Sequence, residues 1–315
     1  MRGIRVKAKL VAKFTLGPYK EEWVNVAKDP RHFNPDWGPL AFCSLDHGFL
    51  IGTDLKPPSL WLVNSRGVVL RREVKFLPGI SHLDVKGNKI VVVGWDTLGL
   101  FRWEKGNLKY LCHAKVFKAP NLSREGYPFL KVKLTQNDLI CVARFTICSG
   151  PGVGSVFVKL LKFEKVRLRE VRQWRVPWIF SLFPGFLGEG ELLAVDDGIL
   201  YNAKLGPMAK VKKVRIKEKG KNLYLTGQVV GRIGSQIVCD CGDLYFLTPE
   251  GEVIKCWKVP WYRYSMVGGQ RFFVSPRGKI YMIGELHGRT PSEVKWHNKG
   301  NLWWCEWGIF ELVPP

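Results

Sequence analysis

The chain of 315 residues carries 49 lysines and arginines against 27 acidic residues, a formal charge of +22, in a sequence that is 46% hydrophobic. That hydrophobic content excludes an intrinsically disordered chain, and no apolar run approaches the ~20 residues that a membrane-spanning helix requires. The first residues, MRGIRVKAKLVAKFTL, interleave Lys7, Lys9 and Lys13 with apolar side chains. They hold no apolar core of ~7–15 residues like that of a secretory leader, so the chain reads as cytoplasmic.

In chain order the first element is that alternating segment, a strand over about 4–14. After it a strand, a tight turn and a second strand recur six times. The copies are FCSLDHGFLIG (42–52), HLDVKGNKIVVV (82–93), KVKLTQNDLICV (131–142), FPGFLGEGELLAV (183–195), VVGRIGSQIVCD (229–240) and FFVSPRGKIYMIG (272–284). Their second strands begin at Phe49, Ile90, Leu139, Leu192, Ile237 and Ile280, in steps of 41, 49, 53, 45 and 43 residues. Third strands place an aromatic or apolar residue shortly before a turn: SLWLVNSRG, GLFRWEKG, KLLKFEKV, GILYNAKLG, DLYFLTPEG and GIFELVPP. Glycines at 67, 106, 206 and 251 supply the positive φ that hairpin turns need. Fourth strands follow in five repeats: VVLRREVKF, LKYLCHAKVF, VRLREVRQW, AKVKKVRIKEK and EVIKCWKV.

A period in the forties built only from short strands is the pattern of a β-propeller, in which each repeat folds into one four-stranded blade. The chain therefore resembles the β-propeller superfamily. The fold class expected is all-β, a single six-bladed domain with blades at about 40–76, 80–117, 127–175, 178–219, 222–258 and 264–315. The sixth repeat ends without an outer strand, and the segment at 4–14 is a strand without a repeat. The N-terminal strand should thus complete the last blade and remove an otherwise open sheet edge. A β-sandwich would accommodate the alternating strands but gives no reason for the spare one. Trp95-Asp96 follows a second strand, so the WD40 pattern is not met, and Gly268-Gly269 is a single kelch-like pair. No narrower family's functional residues are carried over.

Propeller topology puts the B–C loops and the D–A connections on one face and the A–B and C–D turns on the other. The turns are tight, whereas 15–39, 54–59, 118–128, 146–155, 259–265 and 286–301 are long and share the first face. Long loops on a rigid scaffold are where function concentrates. This face collects Trp23, Arg31, Trp37, Arg124, Trp261, Arg263, Arg289 and Trp296, side chains suited to stacking on bases or pairing with phosphate and carboxylate. The same aromatics would also serve to pin their own loops.

The positive charge concentrates elsewhere. Residues 158–175 hold seven Lys/Arg and two Glu (+5), and residues 204–221 hold eight and one (+7), so two outer hairpins carry +12 of the +22. The candidate stripe is Lys159, Lys162, Lys165, Arg167, Arg169 and Arg172 on the third blade, with Lys210, Lys212, Lys213, Arg215, Lys217 and Lys219 on the fourth. Alternation in VRLR and VRIK sends charges to one face of each strand and predicts a stripe on one side of the disc. Edge strands carry Lys and Arg to prevent aggregation, but that does not require nearly unmixed positive charge on two neighbouring blades.

Signals for catalysis are sparse. Asp196-Asp197 could do acid–base or metal work, although such pairs are more often turns. The glycine-rich Ser149–Ser155 lacks the Lys-Ser/Thr of a P-loop and reads as a loop. The eight cysteines include no CxxC, and most sit in apolar strands as buried thiols, with Cys239 and Cys241 on one face of one strand. Asp84 is the clearest acid on a first strand, too little for a metal. No catalytic residue, metal or cofactor is expected. Few glutamines and methionines beside abundant charge suggest a thermophile, and so basic a chain calls for polyanionic partners. The reading is a non-catalytic binding module or scaffold, monomeric on its own, that associates with RNA or a ribonucleoprotein such as the ribosome. A scaffold for acidic protein partners is the alternative, and an enzyme with its site at the channel mouth the third.

Overall fold

The computed structural model describes residues 3–20, 39–53, 57–118, 127–147, 156–164, 167–177, 180, 186–259, 271–285, 296–299 and 302–315. Among them there is no α-helix, and twenty-six of the twenty-eight strands assemble into six blades. Blade one comprises strands A to D at Pro39–Leu45, Gly48–Thr53, Ser59–Asn64 and Gly67–Glu73. Blade two comprises His82–Lys86, Lys89–Gly94, Thr97–Glu104 and Asn107–Lys115. Blade three comprises Tyr127–Leu134, Leu139–Ile147, Val156–Glu164 and Arg167–Val176. Blade four comprises Phe186–Leu187, Glu191–Asp196, Ile199–Leu205 and Ala209–Arg215. Blade five comprises Gln228–Ile233, Gln236–Cys241, Asp243–Leu247 and Val253–Lys258. Blade six takes strands A to C from Phe272–Val274, Ile280–Glu285 and Leu302–Val313, and the hairpin strand Trp296–Lys299 pairs with the third of these.

The outer strand of blade six is Lys7–Lys20, antiparallel to Leu302–Val313 from Lys7 opposite Val313 to Lys20 opposite Leu302. The chain is a six-bladed β-propeller closed by its N-terminal strand. Two details depart from the reading of 4–14 as one strand. Ile4–Arg5 pairs in parallel with Trp257 and Lys258, as a fifth strand on blade five. Val6 then turns its side chain, 2% exposed, into the seam between blades five and six. The strand also continues past residue 14 into what reads as a loop, because a register shift between Leu16 and Tyr19 absorbs Gly17 and Pro18. The N-terminus therefore straddles two blades.

The core lies between blades. Six apolar clusters fill six seams, one for each pair of neighbours around the ring. Strand B of blade two shows why its sequence is continuously apolar. Ile90 and Val92 face blade one, whereas Val91 and Val93 face blade three. A strand buried on both faces has no polar side to alternate with. The seam between blades six and one joins Phe14, Ile283, Trp307 and Ile309 to Phe42, Ile51 and Trp61. It packs as the other five do, so the ring is closed by side chains as well as by a strand.

Candidate functional site

Two regions gather charge: the outer rim of blades three and four, and the central channel. On the rim, cross-strand partners share a sheet face, which fixes where each cation points. Tyr201, Ala203 and Val211 pack into the seam between blades three and four. Lys213 opposes Tyr201 and Arg215 opposes Ile199, so both point to the blade-three side. Lys210 and Lys212 oppose Lys204 and Asn202 and point to the other side. On blade three a register shift between Leu160 and Leu161 changes the alternation, and Lys162 opposes Arg169. The consecutive pair Lys212-Lys213 and this bulge turn the expected one-sided stripe into a belt around the rim.

Most of the belt stands in water. Arg167, Arg169, Arg172, Lys210, Lys212, Lys213, Arg215, Lys217 and Lys219 are exposed. The Arg172 guanidinium lies over the Trp174 ring at 6.0 Å and the Lys213 ammonium over the Tyr201 ring at 5.8 Å. The Trp174 indole N–H donates to the Gly206 carbonyl at 2.7 Å, joining the two hairpins. Lys159 is tied down, 2.7 Å from Glu170 and 18% exposed. Lys162 lies 3.1 Å from Glu164, and Arg169 4.0 Å from the same carboxylate. Lys162 and Arg169 hold the Glu164 carboxyl below the usual carboxylate range. Lys217 leaves the outer strand for a small hairpin of Lys217–Glu218 and Lys221–Asn222, bonded through its N–H to the Gly251 carbonyl, and Lys219 sits at its turn with φ 51°. Lys165 lies outside the described residues.

The loop-face residues Trp23, Arg31, Trp37, Arg124, Trp261, Arg263 and Arg289 also lie outside the described residues, as does Ser149–Ser155. Trp296 is described by its backbone, which pairs with Cys305. Asp196-Asp197 forms a turn: the Asp197 N–H donates to Thr226 Oγ1 at 3.0 Å, and Asp197 has φ 44°. Cys43, Cys112, Cys141, Cys239, Cys241 and Cys256 are free thiols. Cys239 and Cys241 share the seam of blades four and five, where burial pushes Cys241 up to about 12. Such buried thiols are unreactive. Among the described residues no group of three His, Cys, Asp or Glu could hold a metal ion.

The channel is lined by the six inner strands and encloses a cavity of about 330 Å³ that reaches the A–B turns of blades five and six at Gly234 and Ser275. An inner strand has a free hydrogen-bonding edge, and here a neighbouring blade satisfies it. His82, Asp84 and Lys86 alternate along blade two and share one face. His82 Nδ1 accepts the Val132 N–H at 3.3 Å, Asp84 Oδ2 accepts the Leu134 N–H at 2.7 Å, and Lys86 Nζ donates to the Thr135 carbonyl at 2.8 Å. Lys133 of blade three returns a bond to Asp84 Oδ1 at 3.3 Å. Burial raises the Asp84 carboxyl against the opposing pull of Lys133. Burial, with Lys131 and Lys133, holds His82 well below its usual value, so the ring stays neutral and can accept.

Other seams carry similar bonds. Glu191 of blade four takes Arg232 of blade five in two bonds of 2.6 and 2.9 Å and also accepts Asn202 at 3.1 Å. Arg271, which precedes strand A of blade six and is 8% exposed, lies 3.7 Å from Asp240 of blade five. Lys131 keeps part of its surface on the channel but is otherwise surrounded by protein, and burial holds its amine at about 7. The signal for these groups was present as charges at alternate inner-strand positions, HLDVK and KVK. Their meeting across some fifty residues is a property of the ring.

No protein-family model matches the chain, and no curated protein matches it. Solved structures resemble the chain at low identity and with TM-scores below 0.5. Regucalcin, a calcium-binding protein from Agrobacterium tumefaciens, is 13% identical over 90% of this chain and 94% of its own, with a TM-score of 0.46. Glutaminyl cyclase of Myxococcus xanthus is 11% identical over 99% and 100%, with a TM-score of 0.43. The Pan2 WD40 domain of Neurospora crassa is 13% identical over 86% and 74%, with a TM-score of 0.45.

Proposed function

We propose that the protein is a binding module that engages RNA, free or within a ribonucleoprotein, through the outer hairpins of blades three and four. The observation that carries this reading is the concentration of +12 of the +22 net charge on two adjoining hairpins whose cations are mostly exposed. Phosphates attract such a belt without regard to sequence. The Trp174 and Tyr201 rings lie against the Arg172 guanidinium and the Lys213 ammonium, which restrains both side chains and lowers the entropy lost on binding.

The test is RNA affinity over a salt series for the wild type and a variant with Arg167, Arg172, Lys210, Lys212, Lys213 and Arg215 replaced by Gln. Each neutralised phosphate of a single strand contributes about −0.7 to the slope of log K against log salt. Loss of four to six contacts flattens the slope by about 3–4 and weakens all RNA sequences alike. Equal slopes for the two proteins would assign the belt to edge protection and move the reading to a scaffold for acidic proteins.

A further inference from the structure

The belt on blade four ends beside an exposed aromatic ring. Among the described residues the large aromatic side chains that stand exposed are Trp95, Tyr110 and Tyr224, and Tyr224 is the most open of them at 70%. Trp95 and Tyr110 belong to blade two, whereas Tyr224 follows the small hairpin that carries Lys217, Lys219 and Lys221, all exposed. Its backbone is fixed on both sides. The Leu223 N–H donates to the Ile216 carbonyl at 2.9 Å, and the Leu225 carbonyl accepts the Gly198 N–H at 2.9 Å. Leu223 and Leu225 pack into the seam between blades four and five, and Tyr224 between them is turned to solvent. Gly198, at φ 68°, permits this close approach: a Cβ there would stand 2.5 Å from the Leu223 carbonyl oxygen and 3.1 Å from Tyr224 Cα. The preceding carbonyl, of Asp197, accepts the Arg215 guanidinium at 3.4 Å. Arg215, the last cation of the outer strand, and Tyr224 are thus set on one turn.

We propose that Tyr224 is a stacking platform for an unpaired base, and that the RNA held by the rim is therefore single-stranded. This rests on the RNA reading and names the class of RNA. A solvated ring offers its face to any base, and basic surfaces that hold single strands pair such rings with cations that track the backbone. Here the cations are Arg215, Lys217, Lys219 and Lys221. Asp196 and Asp197 occupy the same turn and disfavour a phosphate at the ring itself, so a neutral base fits there and the phosphates fall to the cations. In a duplex the bases are already stacked on one another, and a rim tyrosine meets only sugar and phosphate. The fixed backbone lowers the entropy lost when the base docks.

The test measures, by fluorescence anisotropy over a salt series, binding of an unstructured RNA of about 12 nucleotides and of the same strand annealed to its complement. Tyr224→Ala should weaken the single strand about 5- to 150-fold and leave its salt slope unchanged, because no phosphate contact is lost. The duplex should lose less than about twofold, and Tyr224→Trp should hold the single strand within about twofold of wild type. The ring is solvated, so Tyr224→Ala should melt within about 1 °C of wild type, which separates lost binding from lost fold. An alanine variant that holds the single strand as wild type does, that loses single strand and duplex equally, or whose loss tryptophan does not restore would overturn the proposal and leave the rim reading standing. A wild type that binds neither RNA, or a six-residue rim variant with the wild-type slope, would overturn the RNA reading and this proposal with it.

Discussion

Phe14 tests the closure of the ring. It lies on the N-terminal strand opposite Trp307, is 3% exposed, and packs with Phe42, Ile51 and Trp61 across the seam between the last blade and the first. Replacing it with alanine leaves a hole in that seam, and loss of a buried aromatic ring from a close-packed site costs about 3–5 kcal/mol. An unfolding entropy of ~2.1 cal/mol/K per residue gives about 0.66 kcal/mol/K for a chain of this length, so Tm should fall by about 5–8 °C. Lys9, exposed on the same strand opposite Glu311, is the control. Lys9→Ala removes only solvated atoms and should shift stability by no more than about 0.5 kcal/mol. Differential scanning calorimetry of the three proteins measures both effects. A Phe14→Ala protein melting within about 1 °C of wild type, or a Lys9→Ala protein falling equally far, would refute the argument that this strand closes the ring through its buried face.

Two further outcomes follow from the seams. Glu191→Ala leaves Arg232 without its two bonds between blades four and five and should cost about 1–3 kcal/mol, with a double-mutant cycle against Arg232→Ala showing coupling above about 0.5 kcal/mol. For His82, the unfolded imidazole takes up a proton near 6.5, whereas the folded ring resists until well below. The unfolded state then binds more protons, so stability should fall as pH drops below about 6.5, by up to about 1.4 kcal/mol per pH unit. His82→Gln keeps an acceptor for the Val132 N–H and should flatten thermal stability measured between about pH 5 and 7; a variant with the wild-type slope would exclude His82 as its source.

The blades were legible because their signals are local. Strand B of each repeat is an apolar run between turn residues, and the observed second strands begin within one residue of the positions read from the sequence. The closing strand was legible by counting, since five outer strands cannot complete six blades. The crossing of Ile4–Arg5 onto blade five was not, because a parallel pair with Trp257 and Lys258 joins residues some 250 apart and leaves no periodic trace. Residues after 14 read as a loop, and only the register across Leu302–Val313 reveals that the strand runs on through a bulge at Gly17-Pro18. The channel was hidden for the same reason. His82, Asp84 and Lys133 each look like ordinary strand residues until the ring brings inner edges together. The rim charge was visible as composition, but its two-sided distribution depends on the bulge in blade three and on the consecutive lysines 212 and 213.

Lysine footprinting of the RNA-bound protein tests the central claim most directly. Acetylation rates of individual lysines, measured by mass spectrometry with and without a single-stranded RNA, report which part of the rim is covered. Lys162, Lys210, Lys212 and Lys213 should be protected, while the equally exposed Lys7 and Lys9 of blade six and Lys109 and Lys115 of blade two react as before. Protection spread evenly around the rim, or confined to lysines outside blades three and four, would contradict the account.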